Sequence, residues 1–167
     1  INSIINNNEI FTIEHWNIIL VGRKGVGKTT LIKYILDNDI NIETYFNQDY
    51  IIYTSPKVKY LRLIEFKGIG YDNGSTPDNI KEKIKNYIEG CLKSNDENFH
   101  NVIHCIWYCI SGERFEGPEK SLFYSLKKIY EDNTIPIIFV YTQSNDEDSC
   151  KDFESKMREN DHIENSL

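Results

Sequence analysis

Residues 17–29 read NIILVGRKGVGKT, an unbroken apolar run followed by a glycine-rich loop that closes on lysine and threonine. The apolar run is of the kind buried on both faces of a parallel sheet. Gly22, Gly27, Lys28 and Thr29 satisfy G-x-x-x-x-G-K-[ST] without a mismatch. The next segment, residues 29–36, reads as a helix with Leu31, Ile32, Ile35 and Leu36 on one side. Strand, loop and helix in that order are what a phosphate-cradling loop requires. Each residue type has a reason. Gly22, Gly25 and Gly27 let the backbone curl, so that successive N–H groups, that of Val26 among them, point at a phosphate near a positive helix end. Lys28 supplies charge to the β and γ phosphates and is the candidate catalytic residue. Thr29 offers a small oxygen ligand suited to Mg2+, and Thr30 reaches the α-phosphate.

The remainder of the chain alternates strand and helix signals. Residues 1–14 are asparagine-rich, an incoming arm or edge strand up to residue 15, and a polar stretch runs through Asp49. YIIYT and VKYLRLIEF are β-rich runs joined at Ser55 and Pro56, the signature of a hairpin. Thr76 and Pro77 open a helix carrying Ile80, Ile84, Tyr87, Ile88 and Cys91 on one face. VIHCIWYCI is a buried strand, residues 119–131 form a helix with Leu122, Phe123, Leu126, Ile129 and Tyr130 inward, and IPIIFVYT is a further strand. Residues 145–160 are charged, with Phe153 and Met157 as helical anchors. This alternation predicts an α/β domain of three layers: a mostly parallel sheet with one antiparallel hairpin and helices on both faces. Ligands in such sheets bind at the carboxyl ends of the strands.

Composition excludes several classes. With 167 residues the chain can bury a core without disulfides or metal. A net charge of -7 disfavours non-specific nucleic-acid binding, and no apolar run is long enough to predict a transmembrane segment. Cys91, Cys105, Cys109 and Cys150 form neither a CxxC pair nor a disulfide framework, which points to free thiols in a cytoplasmic setting. His100, His104, Cys105 and Cys109 invite a zinc reading, but strand alternation puts the two cysteines on one face and His104 on the other. Trp107 and Tyr108 read as core, Arg114 and Glu116 as a solvated loop.

The order GRKGVGKTT, IEFKGIG, IHCIWYCISGERFEGPE and IPIIFVYTQSN resembles the translation-factor-related (TRAFAC) class of P-loop GTPases, especially the septin, GIMAP and Era/dynamin-like branches, over residues 16–145. That resemblance implies a G domain over residues 16–167, cut short before its last strand and base-contacting loop, in a chain whose first residue, Ile1, marks it as a fragment. In that class a D-x-x-G element holds Mg2+ through water and senses the γ-phosphate; the matching residues are Glu65 and Gly68, with glutamate one methylene longer than aspartate. Ile69 stands where Ras-like members carry the glutamine that orients water. A mobile-loop threonine closes over Mg2+ in the family, and Thr44 is the candidate. The base-reading [NT]-[KQ]-x-D element corresponds to Thr142, Gln143, Ser144 and Asn145. Asparagine in place of the aspartate removes a charge-assisted hydrogen bond to guanine, a loss of about ten- to a hundredfold in affinity, which Asp146 offsets only if the loop shifts register.

The resemblance thus implies GTP or GDP binding with Mg2+, slow unaided hydrolysis, and a protein partner or second subunit at the nucleotide face. Two readings stand beside it: a degenerate G domain serving as an interaction module, and an ATPase or nucleotide kinase. The four arginines, Arg23, Arg62, Arg114 and Arg158, are few for a kinase.

Overall fold

The computed structural model describes residues 15–43, 49–70, 76–93, 101–111, 115, 117–130, 135–142, 151 and 155. The elements run β1 (Trp16–Gly22), α1 (Lys28–Ile35), β2 (Asn41–Glu43), β3 (Tyr50–Thr54), β4 (Leu61–Phe66), α2 (Pro77–Lys93), β5 (Ile103–Ser111), α3 (Pro118–Tyr130) and β6 (Ile137–Thr142). The six strands form one sheet in the order β2-β3-β4-β1-β5-β6. β4, β1, β5 and β6 are mutually parallel, whereas β3 runs antiparallel to β4 and β2 antiparallel to β3.

The layers follow from strand alternation. Ile18 and Leu20 of β1, Leu63 of β4 and Cys105 and Cys109 of β5 pack with Ile32 and Leu36 under α1. Ile19 and Val21, Ile64 and Phe66, and Ile106, Tyr108 and Ile110 point the other way, onto α2 and α3. β1 lies between β4 and β5 and is buried along nearly all its length, which is why its sequence shows no polar alternation.

The helices begin and end as their sequences dictate. Thr76 accepts the N–H of Asn79 on its hydroxyl (3.3 Å), and Pro77 then opens α2, which buries Ile80, Ile84 and Ile88 at four-residue intervals. α1 stops where Asp37 and Asn38 turn left-handed, each with φ 55°, and the Asn38 N–H returns to the Lys33 carbonyl at 2.8 Å. In α3, Leu122, Phe123, Leu126 and Tyr130 face the sheet. There Tyr108 is fully buried among Phe115, Phe123 and Phe139 and donates its hydroxyl to the Glu119 carbonyl at 2.6 Å.

Two features depart from the sequence reading. The hairpin does not turn at Ser55–Pro56 alone: residues 55–60 form the connection and β4 begins only at Leu61. The Ser55 hydroxyl accepts the Lys57 N–H (3.1 Å) and donates to the Leu36 carbonyl (3.3 Å), and the Leu61 N–H reaches the Val58 carbonyl (3.2 Å), so the connection is held from within and by α1. The second departure is β2, an added edge strand of three exposed residues within the stretch read as polar loop. The N-terminal arm up to residue 14, Thr44, Arg114, Glu116, Gln143, Asn145 and nearly all of the charged 145–160 segment lie outside the described residues.

Candidate phosphate-binding site

The carboxyl ends of β1, β4, β5 and β6 meet at one rim of the sheet, and the glycine-rich loop lies across it. Gly22 ends β1 with φ 142°, hard against β5, where an added Cβ would stand 2.2 Å from the Cys109 carbonyl oxygen. Only glycine allows the chain to leave the strand there. Gly27 then takes a left-handed conformation, φ 96°, as the N-cap of α1. The first bond within the helix runs from the Leu31 N–H to the Gly27 carbonyl at 2.9 Å. The N–H groups of Lys28, Thr29 and Thr30 therefore precede the helical ladder and sit at its positive end.

Lys28 is only 5% exposed. Its ammonium donates to the carbonyl oxygens of Gly22 (3.3 Å) and Arg23 (3.2 Å), so the cation is held over the loop it would share with a phosphate. Burial pushes its pKa below the usual lysine value, while the Glu65 carboxylate and the Cys109 thiol act in the opposite direction. A desolvated ammonium facing backbone carbonyls gains strongly from an entering anion.

Glu65 occupies the penultimate position of β4 and faces the α1 side. The exposed Thr29 hydroxyl donates to its carboxylate, 2.9 Å from both oxygens, and the Tyr53 phenol donates to Oε2 at 3.1 Å. Hydroxyl and carboxylate oxygens brought together beside a phosphate loop are the donor set that Mg2+ accepts, and they fit that ion.

Gly68 packs directly on the loop: an added Cβ would stand 2.5 Å from the Lys24 nitrogen, 2.7 Å from the Arg23 carbonyl carbon and 2.7 Å from the Gly22 oxygen. Next to it, Ile69 is paired with Arg23 in a parallel bridge, and its carbonyl accepts the Lys24 N–H at 2.9 Å. The Lys67 ammonium stands 3.8 Å from Asp49, which also pairs with Lys83 of α2 at 3.0 Å.

Thr142, the last residue of β6, is buried with its hydroxyl against the carbonyl oxygens of Val26 and of Ile110 (2.8 Å). It thereby ties the glycine-rich loop to the two strands that follow β1 on that side. The structure thus brings Gly22, Gly25, Val26, Gly27, Lys28, Thr29, Thr30, Glu65, Gly68 and Thr142 to one rim, while Thr44, Gln143 and Asn145 fall outside the described residues. Sequence reasoning passed over Tyr53, the Lys24–Ile69 contact and the Asp49 pairs. A β-branched and aromatic run such as YIIYT shows that Tyr53 is in a strand, but only the inter-strand register shows what it touches.

At the opposite end of the sheet, His104 sits at an irregularity in the β1–β5 pairing and accepts the Asn17 N–H on Nδ1 at 3.1 Å. Cys105 and Cys109 belong to the α1 face, away from it.

No protein-family model matches this chain, and no curated protein matches it. Among solved structures it is similar to Cdc11 from Saccharomyces cerevisiae, with 18% identity over 82% of this chain and 57% of that one and a TM-score of 0.48. It is also similar to a GDP-bound mutant of NFeoB from S. thermophilus, with 16% identity over 75% and 44% of the two chains and a TM-score of 0.46. A third is the G domain of the T. maritima FeoB iron transporter, at 15% identity, 87% and 98% coverage and a TM-score of 0.39. The chain spans about half the length of the first two. The strand order and the strand–loop–helix junction of this chain are themselves those of a P-loop nucleotide-binding fold, with the mostly parallel sheet and antiparallel hairpin expected from the sequence. No helix among the described residues is long and apolar enough to cross a membrane.

Proposed function

We propose that this chain is a guanine-nucleotide-binding G domain, holding GTP or GDP on Gly22–Thr30 and acting as a cytoplasmic molecular switch with slow or partner-assisted hydrolysis. The observation that carries the reading is Lys28: a buried ammonium at a helix N-terminus, with loop carbonyls as its hydrogen-bond acceptors among the described residues and a carboxylate nearby. An entering phosphate chain accepts from Lys28 and from the N–H groups at the start of α1, exchanging weak acceptors for charged ones. Thr29 and Glu65, with Thr44 as a further ligand, would hold Mg2+. When bound with the nucleotide, that ion neutralises charge on the phosphate oxygens. Gly68 senses the γ-phosphate, and its close packing on Arg23 and Lys24 supports the assignment, because a change in the loop is transmitted directly to the following segment. Of the base-reading element, Gln143 and Asn145 would contact the base, while Thr142, its hydroxyl engaged by the Val26 and Ile110 carbonyls, would hold the glycine-rich loop beside them.

Hydrolysis would proceed by in-line attack of water on the γ-phosphate, yielding GDP and inorganic phosphate, with Lys28 stabilising the charge. Ile69 is buried and its backbone is held by Lys24, so it offers no side-chain group to orient that water. A protein partner or second copy at the nucleotide face supplies the missing group. The same observation favours a second reading, a nucleotide-binding interaction module without turnover.

The test is competition of GTP, ATP and xanthosine triphosphate against a fluorescently labelled GDP, followed by phosphate release under multiple turnover. Preference for guanine supports the proposal, and equal displacement by ATP contradicts it. Turnover that is rapid in the isolated monomer contradicts the partner-assisted scheme.

A further inference from the structure

We propose that Tyr53 is a positioning residue for the Glu65 carboxylate: from the neighbouring strand its phenol fixes the acid where it meets Thr29, the place at which a nucleotide-bound divalent cation would be received. The inference rests on the nucleotide-binding reading above.

The register makes the contact possible. Tyr53 pairs with Leu63, so it shares a sheet face with Leu63 and with Glu65 two residues on. Diagonal neighbours in an antiparallel pair lie within reach of a long aromatic side chain. Tyr53 is 4% exposed and belongs to the core cluster beneath α1 with Leu63 and Ile32, which leaves it little freedom. Its hydroxyl reaches the site and donates to Glu65 Oε2 at 3.1 Å.

The role answers a problem of length. A glutamate has one more rotatable bond than an aspartate and would sample several positions for its carboxylate. Tyr53 anchors Oε2 from a strand, and Thr29 anchors the group from a helix. Held between two rigid elements, the longer side chain presents its remaining lone pairs in one place.

The experiment uses the purified chain loaded with fluorescent GDP. The Mg2+ concentration that half-maximally slows nucleotide release is measured for the natural sequence and for Tyr53→Phe, together with nucleotide affinity in EDTA. Removal of a single hydroxyl is expected to raise the Mg2+ midpoint roughly five- to tenfold and to leave affinity in EDTA within about twofold. Glu65→Asp withdraws the carboxylate from the phenol, so adding Tyr53→Phe to that variant should change the midpoint by less than about twofold. An unchanged midpoint in Tyr53→Phe overturns the assignment, as does an equal change in both backgrounds or an equal fall in affinity in EDTA. Because Phe retains the ring, a thermal midpoint close to that of the natural sequence is expected, and a Tyr53→Phe chain that fails to fold overturns a role confined to the carboxylate. If the natural sequence binds no nucleotide, the functional reading fails with it, a result distinct from Mg2+-dependent binding that is indifferent to Tyr53.

Discussion

Gly22→Ala tests how tightly the phosphate loop is fixed to the sheet. The substitution meets two obstacles: a backbone at φ 142° and a new methyl 2.2 Å from the Cys109 carbonyl oxygen. Holding an L-residue in that region costs about 1–3 kcal/mol. Forcing the strands apart to admit the methyl costs about 1–3 kcal/mol more. The sum, about 2–6 kcal/mol, is a large part of the roughly 5–15 kcal/mol that stabilises a typical domain. Urea unfolding followed by circular dichroism measures it: with a slope of about 1–3 kcal/mol per M, the midpoint should fall by about 0.7 M or more. Two other glycines separate the contributions. Gly25 has φ 82° but open space around it, so Gly25→Ala should cost only the backbone strain, about 1–2 kcal/mol. Gly90, inside α2 with open space and no positive φ, should give a gain of about 0.5–1 kcal/mol on Gly90→Ala. A Gly22→Ala protein within about 0.5 kcal/mol of the natural one would refute the close β1–β5 approach at the loop.

Other consequences follow from the same geometry. Lys28→Met removes a buried charge and should leave stability in the absence of nucleotide unchanged or slightly raised, while nucleotide affinity in titrations falls about a hundredfold. Thr142→Val removes the hydroxyl that faces the Val26 and Ile110 carbonyls; unfolding experiments should show a loss of about 1–2 kcal/mol that Thr142→Ser largely restores. His104 has its pKa lowered by burial, and Nδ1 must be unprotonated to accept the Asn17 N–H. The folded state therefore binds this proton less readily than the unfolded one. The contribution of His104 is complete above the ordinary value near 6.5 and is lost as pH falls through the lower folded value. Stability measured from pH 7.5 down to 5 should decline less steeply in His104→Gln.

The strand–loop–helix junction was legible in the sequence because its pattern leaves few alternatives: an apolar strand, three glycines at fixed offsets, then lysine and threonine. Helix faces were legible for the same kind of reason, as with Ile80, Ile84 and Ile88, whose spacing has one structural meaning. Register was not. A two-residue turn at Ser55 and Pro56 would have paired Tyr53 with Val58, whereas the longer connection sets Tyr53 opposite Leu63 and brings its phenol to Glu65. β2 escaped notice because all three of its residues are exposed, so neither burial nor alternation marks them. The Lys24–Ile69 contact is made by backbone atoms alone and leaves no trace in residue type. Glu65 stands out through a motif position, whereas its contact with Tyr53 follows only from three-dimensional pairing.

The most direct measurement is a calorimetric titration of the nucleotide-free chain with GTP, GDP and ATP, each with and without Mg2+, alongside Lys28→Ala. Binding of GTP and GDP that is strengthened by Mg2+, exceeds that of ATP and is lost in Lys28→Ala is the expected result. Absence of binding, or binding indifferent to the base and to Lys28, would contradict a guanine-nucleotide switch built on this loop.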